Sequence, residues 1–574
     1  MSAGDPRGRT VPAWVTAELA RAAELPLPEL MECAAELARD AHPAAAAVWR
    51  LAARACAGDA DSATDVALRA RIDEGLGAAL TISGNAESRA LLARAVTARE
   101  QLGDPLALAV ARGRAALSAA VGGDEAAAAV LHDIAPVIET HGTAEDRVVH
   151  LRRRAWATLL AAHTEDNRAL GVALLHQAQA AATAISCHRE VLACQAMLLE
   201  LASPPDAGER IEAWQQYVDQ LRDQQCWWRL GAASLRLAQE RVVAGVDPDD
   251  ADDAADVLKL LVDAVRYALE WGEPAVAAQA MYLRARLLVD LQRPDEARIA
   301  AFSALVRAAE IGDDQLAARS RLELGAAYGA LGEFGAAKEI LNTAVAATDP
   351  SDLQSLVRAG QLMGSTVLAE GYPIAAAVQF DAASDRAERG GELASAAQTA
   401  QLCAQALEQA GDIAQAVVSF GRAAELFARA QSWDRALTVR HLQADALVRA
   451  GRPDEAISAL DAPLDGLDPS WGRANLEEHA ARLLAEAGRG KQALARAETA
   501  EALLEAVGDS GGAACAAALG AQISLVVLAD PVAAEESALR AVQLAAQSDD
   551  DEAGLEVSRT LAKVLDALAV PDAQ

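Results

Sequence analysis

Few residues in this chain stand at spacings that could do chemistry, and each set has a plainer reading beside it. Phosphate binding needs a glycine-rich turn ending in Gly-Lys-Ser/Thr, so that amides cradle the anion and the lysine meets its charge. The nearest string, Gly488-Arg489-Gly490-Lys491-Gln492, lacks the hydroxyl and the spacing and reads as a turn between helices. Zinc needs paired Cys or His at short separation. Cys187, His188 and Cys194, with His176 upstream, form such a cluster, but Cys187 and Cys194 lie seven apart on one helical face, where core thiols also sit. The acidic runs Asp247–Asp253 and Asp549–Glu552 lack the glycine and the terminal glutamate of a calcium loop. They read as helix starts, where negative charge meets the positive end of the helix dipole. There is no His-Glu-x-x-His and no Gly-x-Ser-x-Gly. No set of nucleophile, base and oxyanion donors can be assembled. The expectation is a chain that is not an enzyme, without catalytic residues, cofactor or metal site.

Two further groups suit binding rather than catalysis. Trp227-Trp228, beside Cys226, is unusual in a chain with 3% aromatic residues. One ring is expected to plug a helix-pair core and the other to serve as a candidate partner anchor, since Trp is common at interface hot spots. Arg152-Arg153-Arg154 is a local basic run on an acidic protein. It reads as a solvated face, or as a docking point for an acidic partner.

The elements that must position these groups follow from composition. Apolar residues make up 52% of the 574, carried by Ala, Leu and Val and not by aromatics. Ala favours helix and lets helices approach closely, so the composition is all-α. The net charge of −32 opposes binding to nucleic acid and to anionic membrane surfaces. No apolar run approaches the ~20 residues that span a bilayer. Met1 to Trp14 carries Asp5, Arg7 and Arg9 and does not read as a signal peptide. Seven scattered cysteines (33, 56, 187, 194, 226, 403 and 515) suit reduced thiols in a cytoplasm. The excess of Arg over Lys and the abundance of Ala read as the coding bias of a GC-rich bacterium.

The phrase Arg-Pro-Asp-Glu-Ala occurs at 293–297 and again at 452–456, 159 residues on, close to four units of 40. Pro suits the first helical position and Asp-Glu the first turn, so each copy starts a helix. Turn residues fall at Gln292, Gly332, Gly371, Gly411, Gly451 and Gly488, in steps of 40, 39, 40, 40 and 37. A second punctuation, as at Gly312-Asp313-Asp314 and Gly508-Asp509, separates the units. Each unit is therefore a helix, a tight turn, a second helix and a link. Around Gly332 stand Leu324-Gly325 and Tyr328 before the turn, and Phe334, Ala337, Leu341 and Ala344 after it. The next unit has Met363-Gly364, Val367, Pro373, Ala376, Phe380 and Ala383 at matching places. Cys403-Ala404 with Phe420, and Gln443-Ala444 with Leu460, continue the pattern. A small residue lets the helices cross closely and a large one fills the space beside it.

This arrangement resembles the tetratricopeptide repeat, most closely over residues 274–505 and with a period near 40 against about 34 in the standard repeat. The resemblance implies an all-α, right-handed superhelical solenoid of antiparallel helix pairs, twelve to fourteen of them. The expected divisions are an irregular N-terminal helical segment at 1–145, degenerate pairs at 146–273, regular repeats at 274–508, and a last pair with a capping helix, Glu552–Ala567, at 509–574. The register before about residue 146 cannot be fixed from the sequence. In tetratricopeptide proteins the first helix of each pair lines a concave groove where ligands lie. Counting from the turns, that face holds Gln279, Tyr282, Arg286, Arg319, Arg358, Gln361, Ser365, Gln398, Gln401, Gln405, Glu408, His441, Asp445, Arg449, Asn475, Glu478 and Arg482. Any solvated helix stripe is polar; the amides Gln398, Gln401 and Gln405 add donors and acceptors suited to an extended peptide backbone. The expected function is a cytoplasmic scaffold, adaptor or regulator that binds another protein or peptide, with no nucleic acid or membrane partner. The alternative is a sensor that responds to a small molecule or signalling peptide.

Overall fold

The computed structural model describes residues 19–569 apart from 21, 40–41, 57–62, 82–85, 162–163, 202–203, 205, 246–250, 462–470 and 549–550. Met1 to Trp14, residues 247–250 of the first acidic run and 549–550 of the second lie outside the described residues. From Leu27 to Ala569 the described residues form 27 helices and no strand. None of these helices is long and apolar enough to cross a membrane.

The chain divides into two compact units, Met1–Ser320 and Arg321–Gln574. The first holds the pairs α1–α2 (Leu27–Arg39, Ala45–Ala55), α3–α4 (Ala63–Thr81, Glu87–Leu102) and α5–α6 (Pro105–Val121, Ala127–His141). It continues with α7–α8 (Ala144–Leu160, Glu165–Ala184), α9–α10 (His188–Leu201, Ala207–Asp223), α11–α12 (Trp227–Ala244, Ala251–Glu270) and α13–α14 (Pro274–Asp290, Pro294–Ile311). The second unit begins within α15 (Asp314–Ala330), which precedes α16 (Phe334–Ala347). Then come α17–α18 (Leu353–Ala369, Pro373–Arg389), α19–α20 (Leu393–Gln409, Ile413–Arg429) and α21–α22 (Trp433–Arg449, Pro453–Asp461). The array ends with α23–α24 (Trp471–Glu486, Gly490–Ala506), α25–α26 (Ser510–Val526, Pro531–Ala545) and a last helix, α27 (Asp551–Ala569).

Within each unit neighbouring helices pack in chain order, and first helices also touch the first helix of the next pair: α1–α3–α5–α7–α9 and α11–α13 in one unit, α21–α23–α25–α27 in the other. Short links between packed neighbours make each pair antiparallel. The expected regular pairing is present, and it also runs through the residues before 146, where the sequence gives no register.

The turns are built as the glycine spacing requires. Gly411 takes φ +79° between α19 and α20, and the next amide, Asp412 N–H, reaches back to the Leu407 carbonyl at 2.9 Å. That closes the orphan carbonyls of the first helix in a Schellman-type turn. Gly332, Gly371, Gly451 and Gly488 repeat the geometry, and Gln292 adopts it without being glycine, at φ +56°. Both copies of the repeated phrase serve as helix starts: the Arg293 and Arg452 side chains each donate to the glutamate three residues on at 2.7 Å, and Ala297 and Ala456 are wholly buried.

The paired small and large residues also meet. A Cβ on Gly325 would lie 2.7 Å from Leu341, and one on Gly364 would lie 2.6 Å from Phe380. Ala404 and Phe420, and Ala444 and Leu460, are buried in one cluster. The 16-residue separation of each couple is thus the crossing point of a helix pair.

Candidate functional site

The first-helix face of residues 321–574 is a chain of polar ties between successive pairs. Glu323 on α15, its side chain 1% exposed, receives Arg358 of α17 through Nη2 at 3.0 Å and Nε at 3.3 Å. Gln361 Nε2 donates to Thr399 Oγ1 of α19 at 2.6 Å. Glu408 of α19 accepts from Arg449 of α21. The His441 and His479 rings stand edge to face at 4.8 Å, and His479 Nε2 lies 3.1 Å from Asp445 Oδ1. Burial, with His479 and Arg482 nearby and against the pull of Asp445, pushes His441 down to about 4. Glu478 accepts from Arg482 one turn along α23, and Asn475 is half-buried on the same helix.

Much of the counted face is therefore engaged within the protein. The amide stripe on α19 differs. Gln398 is exposed, Gln401 and Gln405 are half-buried, and among the described residues these three side chains make no hydrogen bond. Ser365 is also exposed on α17. Gln279, Tyr282, Arg286 and Arg319 fall in the other unit, where Gln279 is exposed and Tyr282 packs against Ala278, Ala308 and Leu316.

The two tryptophans are both half-buried and both face aromatic neighbours. Trp227 stacks on Tyr267 with centroids 6.2 Å apart and packs beside Trp214 and Tyr217. Trp228 meets Trp271 edge-on at 6.0 Å and His42, in the α1–α2 turn, at 5.1 Å. His42 and Trp271 are 5.7 Å apart, which closes a three-ring cluster.

Among the described residues no group of three or more His, Cys, Asp or Glu could hold a metal ion. Cys194 is a fully buried thiol pushed up to about 11 by that burial, and His176 and His188 are exposed. Gly488 is a turn residue, and Gly490 starts α24 against Leu528. Asp252 and Asp253 lie in the first turn of α12.

In the unit Met1–Ser320 the first helices α1, α3, α5 and α7, with Trp49 of α2 and Ile134 and Ile138 of α6, line a half-open cavity of about 420 Å³ that has Glu190 of α9 at its wall. Leu117, Ile134 and Trp156 line it together with Arg114, His150 and Arg153. The Arg152–Arg154 run, read from sequence as a solvated face or docking point, contributes to this interior: Arg152 and Arg153 both line the cavity. His150 is 5% exposed and its Nε2 has no hydrogen-bond partner. Burial, reinforced by Arg154 and Arg153, pushes its pKa down to about 4, so the ring is neutral near pH 7. Arg153 is half-buried, and burial, then Arg114 and Arg152, push it down to about 9 against Glu74 and Glu190. The surface it keeps faces the cavity. The sequence signal for this site is His150, Arg153 and Trp156 at helical spacing on α7, polar groups where a packed helix presents its buried face.

The sequence matches no protein-family model and no curated protein. Solved structures similar to it include the Cut9–Hcn1 hetero-tetramer of APC/C, at 12% identity over 90% of this chain and 93% of that one, with a TM-score of 0.29. Yeast Tom70 is similar at 13% identity over 81% and 98% of the two chains, with a TM-score of 0.36. A Rap protein complexed with competence and sporulation factor is similar at 13% identity over 68% and 99%, with a TM-score of 0.29. The fold is read from the chain's own geometry: antiparallel pairs, left-handed turn residues between partners, small-on-large crossings and, within each unit, runs of first helices that touch. It is an all-α, tetratricopeptide-like array of helix pairs.

Proposed function

We propose that the chain is a non-enzymatic binding module, a cytoplasmic scaffold, adaptor or regulator that takes another protein or an extended peptide along the first-helix face of residues 321–574. The observation that carries this reading is the stripe Gln398, Gln401 and Gln405. Its neighbours on α17 and α21 are tied to adjacent helices, whereas these amides keep their donors and acceptors for an added chain. Glu408, Arg449, Asp445 and Arg482 border the stripe with both signs of charge and would set the register of a bound segment. The test is affinity capture with the wild-type chain and with a Gln401→Ala/Gln405→Ala/Arg482→Ala variant. Partners held by the wild type are expected to be lost by the variant. Equal capture by both would remove the face from consideration.

A second reading, a ligand-responsive regulator, is supported by the cavity in Met1–Ser320. A ligand that favours the native state raises the melting temperature by mass action. That shift separates a sensor from a scaffold.

A further inference from the structure

The cavity among α1, α3, α5 and α7 is large enough for a small molecule: about 420 Å³, within the ~300–1,000 Å³ usual for ligand pockets. Its charges do not balance. Both oxygens of Glu74 are engaged, one by Arg99 at 3.2 Å and one by Arg114 at 2.7 Å. Both oxygens of Glu190 are engaged by Arg152, at 2.7 and 3.4 Å. Among the described residues Arg153 has neither a hydrogen bond nor an ion pair, and the lining sets five arginines (Arg39, Arg71, Arg114, Arg152 and Arg153) against four carboxylates (Glu32, Glu145, Asp146 and Glu190) in a chain whose net charge is −32. The other carboxylates at the rim are also engaged: Glu32 by Arg71, Glu145 by Arg189, and Asp146 by the capping box with Thr143. A half-buried guanidinium without a protein partner loses hydration that no carboxylate replaces, and a fork of N–H donors is the usual receptor for a planar carboxylate or a phosphate. His150 Nε2, one turn before Arg153, is a second orphaned polar atom at the same wall. Leu117, Ile134 and Trp156 supply apolar surface in the same lining.

We infer that this cavity binds a small organic anion, with its carboxylate or phosphate on Arg153 and His150 and its apolar body against Leu117, Ile134 and Trp156. The site lies in Met1–Ser320 and does not depend on a peptide being held along α17–α23. Binding completes the charge balance that the lining carboxylates leave open at Arg153, and neutral analogues lack the group that does so.

The test uses the full chain with benzoate and phenyl phosphate as probes, benzamide as the neutral control and inorganic phosphate as the bare ion. Thermal shift and calorimetric titration are the readouts. Benzoate, phenyl phosphate or both are expected to raise the melting temperature and bind at one site, with benzamide inert. Arg153→Met, which keeps the side-chain stem, is expected to weaken binding about 10- to 100-fold, the range for a lost charge-assisted hydrogen-bond pair. Arg153→Lys, which keeps the charge without the fork, should fall between. Far-UV circular dichroism and the ligand-free melting temperature establish that both variants fold. Anion binding no stronger than that of benzamide would overturn the inference, as would equal binding by Arg153→Met. Binding of inorganic phosphate alone, unchanged in Arg153→Met, would mean an ion held elsewhere and would overturn it too.

Discussion

His150 and His441 sit in different units but face the same physical problem, an imidazole kept from water without an acidic group strong enough to hold its proton. Both are pushed from 6.5 to about 4. In the unfolded chain each binds a proton near pH 6.5, whereas the folded chain refuses it until about pH 4. The unfolded state therefore carries the extra protons in that window, and stability falls as pH drops from about 6.5 to about 4, with no further loss from these groups below it. Urea midpoints for the wild type and a His150→Gln/His441→Gln variant at pH 7 and pH 5 check this. The wild type is expected to lose more between the two pH values than the variant. Parallel losses would place the titration on other groups. The same two positions show what a single sequence can and cannot reveal at this scale. His441 was counted onto the first-helix face because its distance from the glycine turn is fixed. His150 and Arg153 cannot be placed that way, because whether a polar residue on α7 faces water or a neighbour depends on helices distant in the chain, such as the one bearing Glu190, 38 residues from Arg152. One hint was available. Consecutive helix residues are about 100° apart, so Arg152, Arg153 and Arg154 could not all share one solvated face.

At the scale of the element, the helix pair is specified by two devices: a turn residue with positive φ and a small residue facing a large one across the crossing. Gly364 shows the second directly, since a Cβ there would lie 2.6 Å from the Phe380 ring. Gly364→Ala is expected to destabilise the chain by about 1–3 kcal/mol through overpacking, despite alanine's better helix propensity. Adding Phe380→Leu should recover part of the loss by opening the space, as urea denaturation of the three chains would show. If Gly364→Ala were stabilising, the crossing would be looser than described. The first device explains where the register was legible. From Gln292 to Gly488 five of the six turns between pair members carry glycine, and the pattern can be counted. In the links between pairs, where Gly312 and Gly508 stand downstream, Ser186 and Gln225 adopt the same left-handed backbone at φ +55° and +56° without being glycine. The geometry continues there while the letter that marks it does not.

For the whole molecule, the division into Met1–Ser320 and Arg321–Gln574 has a thermodynamic reading. Arrays of repeats are held by neighbour contacts, and their stability is a sum of local terms, so two compact units need not melt together. Scanning calorimetry of the full chain is expected to show a calorimetric enthalpy larger than the van't Hoff enthalpy, or two resolved transitions. A saturating anion for the α1–α7 cavity should move only the transition of the first unit. A single transition with equal enthalpies would mean that the units unfold as one.

The three-ring cluster of His42, Trp228 and Trp271 bears on how such a protein can change over generations. An array whose pairs touch only their neighbours can gain or lose a pair and reseal, because each new junction repeats the old one. The first unit is not of that kind. A ring in the α1–α2 turn meets Trp228 at the start of α11 and Trp271 just past α12, at 5.1 and 5.7 Å, and so joins the first pair to the sixth. Removing or inserting a pair between them would carry His42 away from both tryptophans. The number of pairs in that stretch is thus set by the structure itself, and its repeats are free to diverge in sequence but not in count.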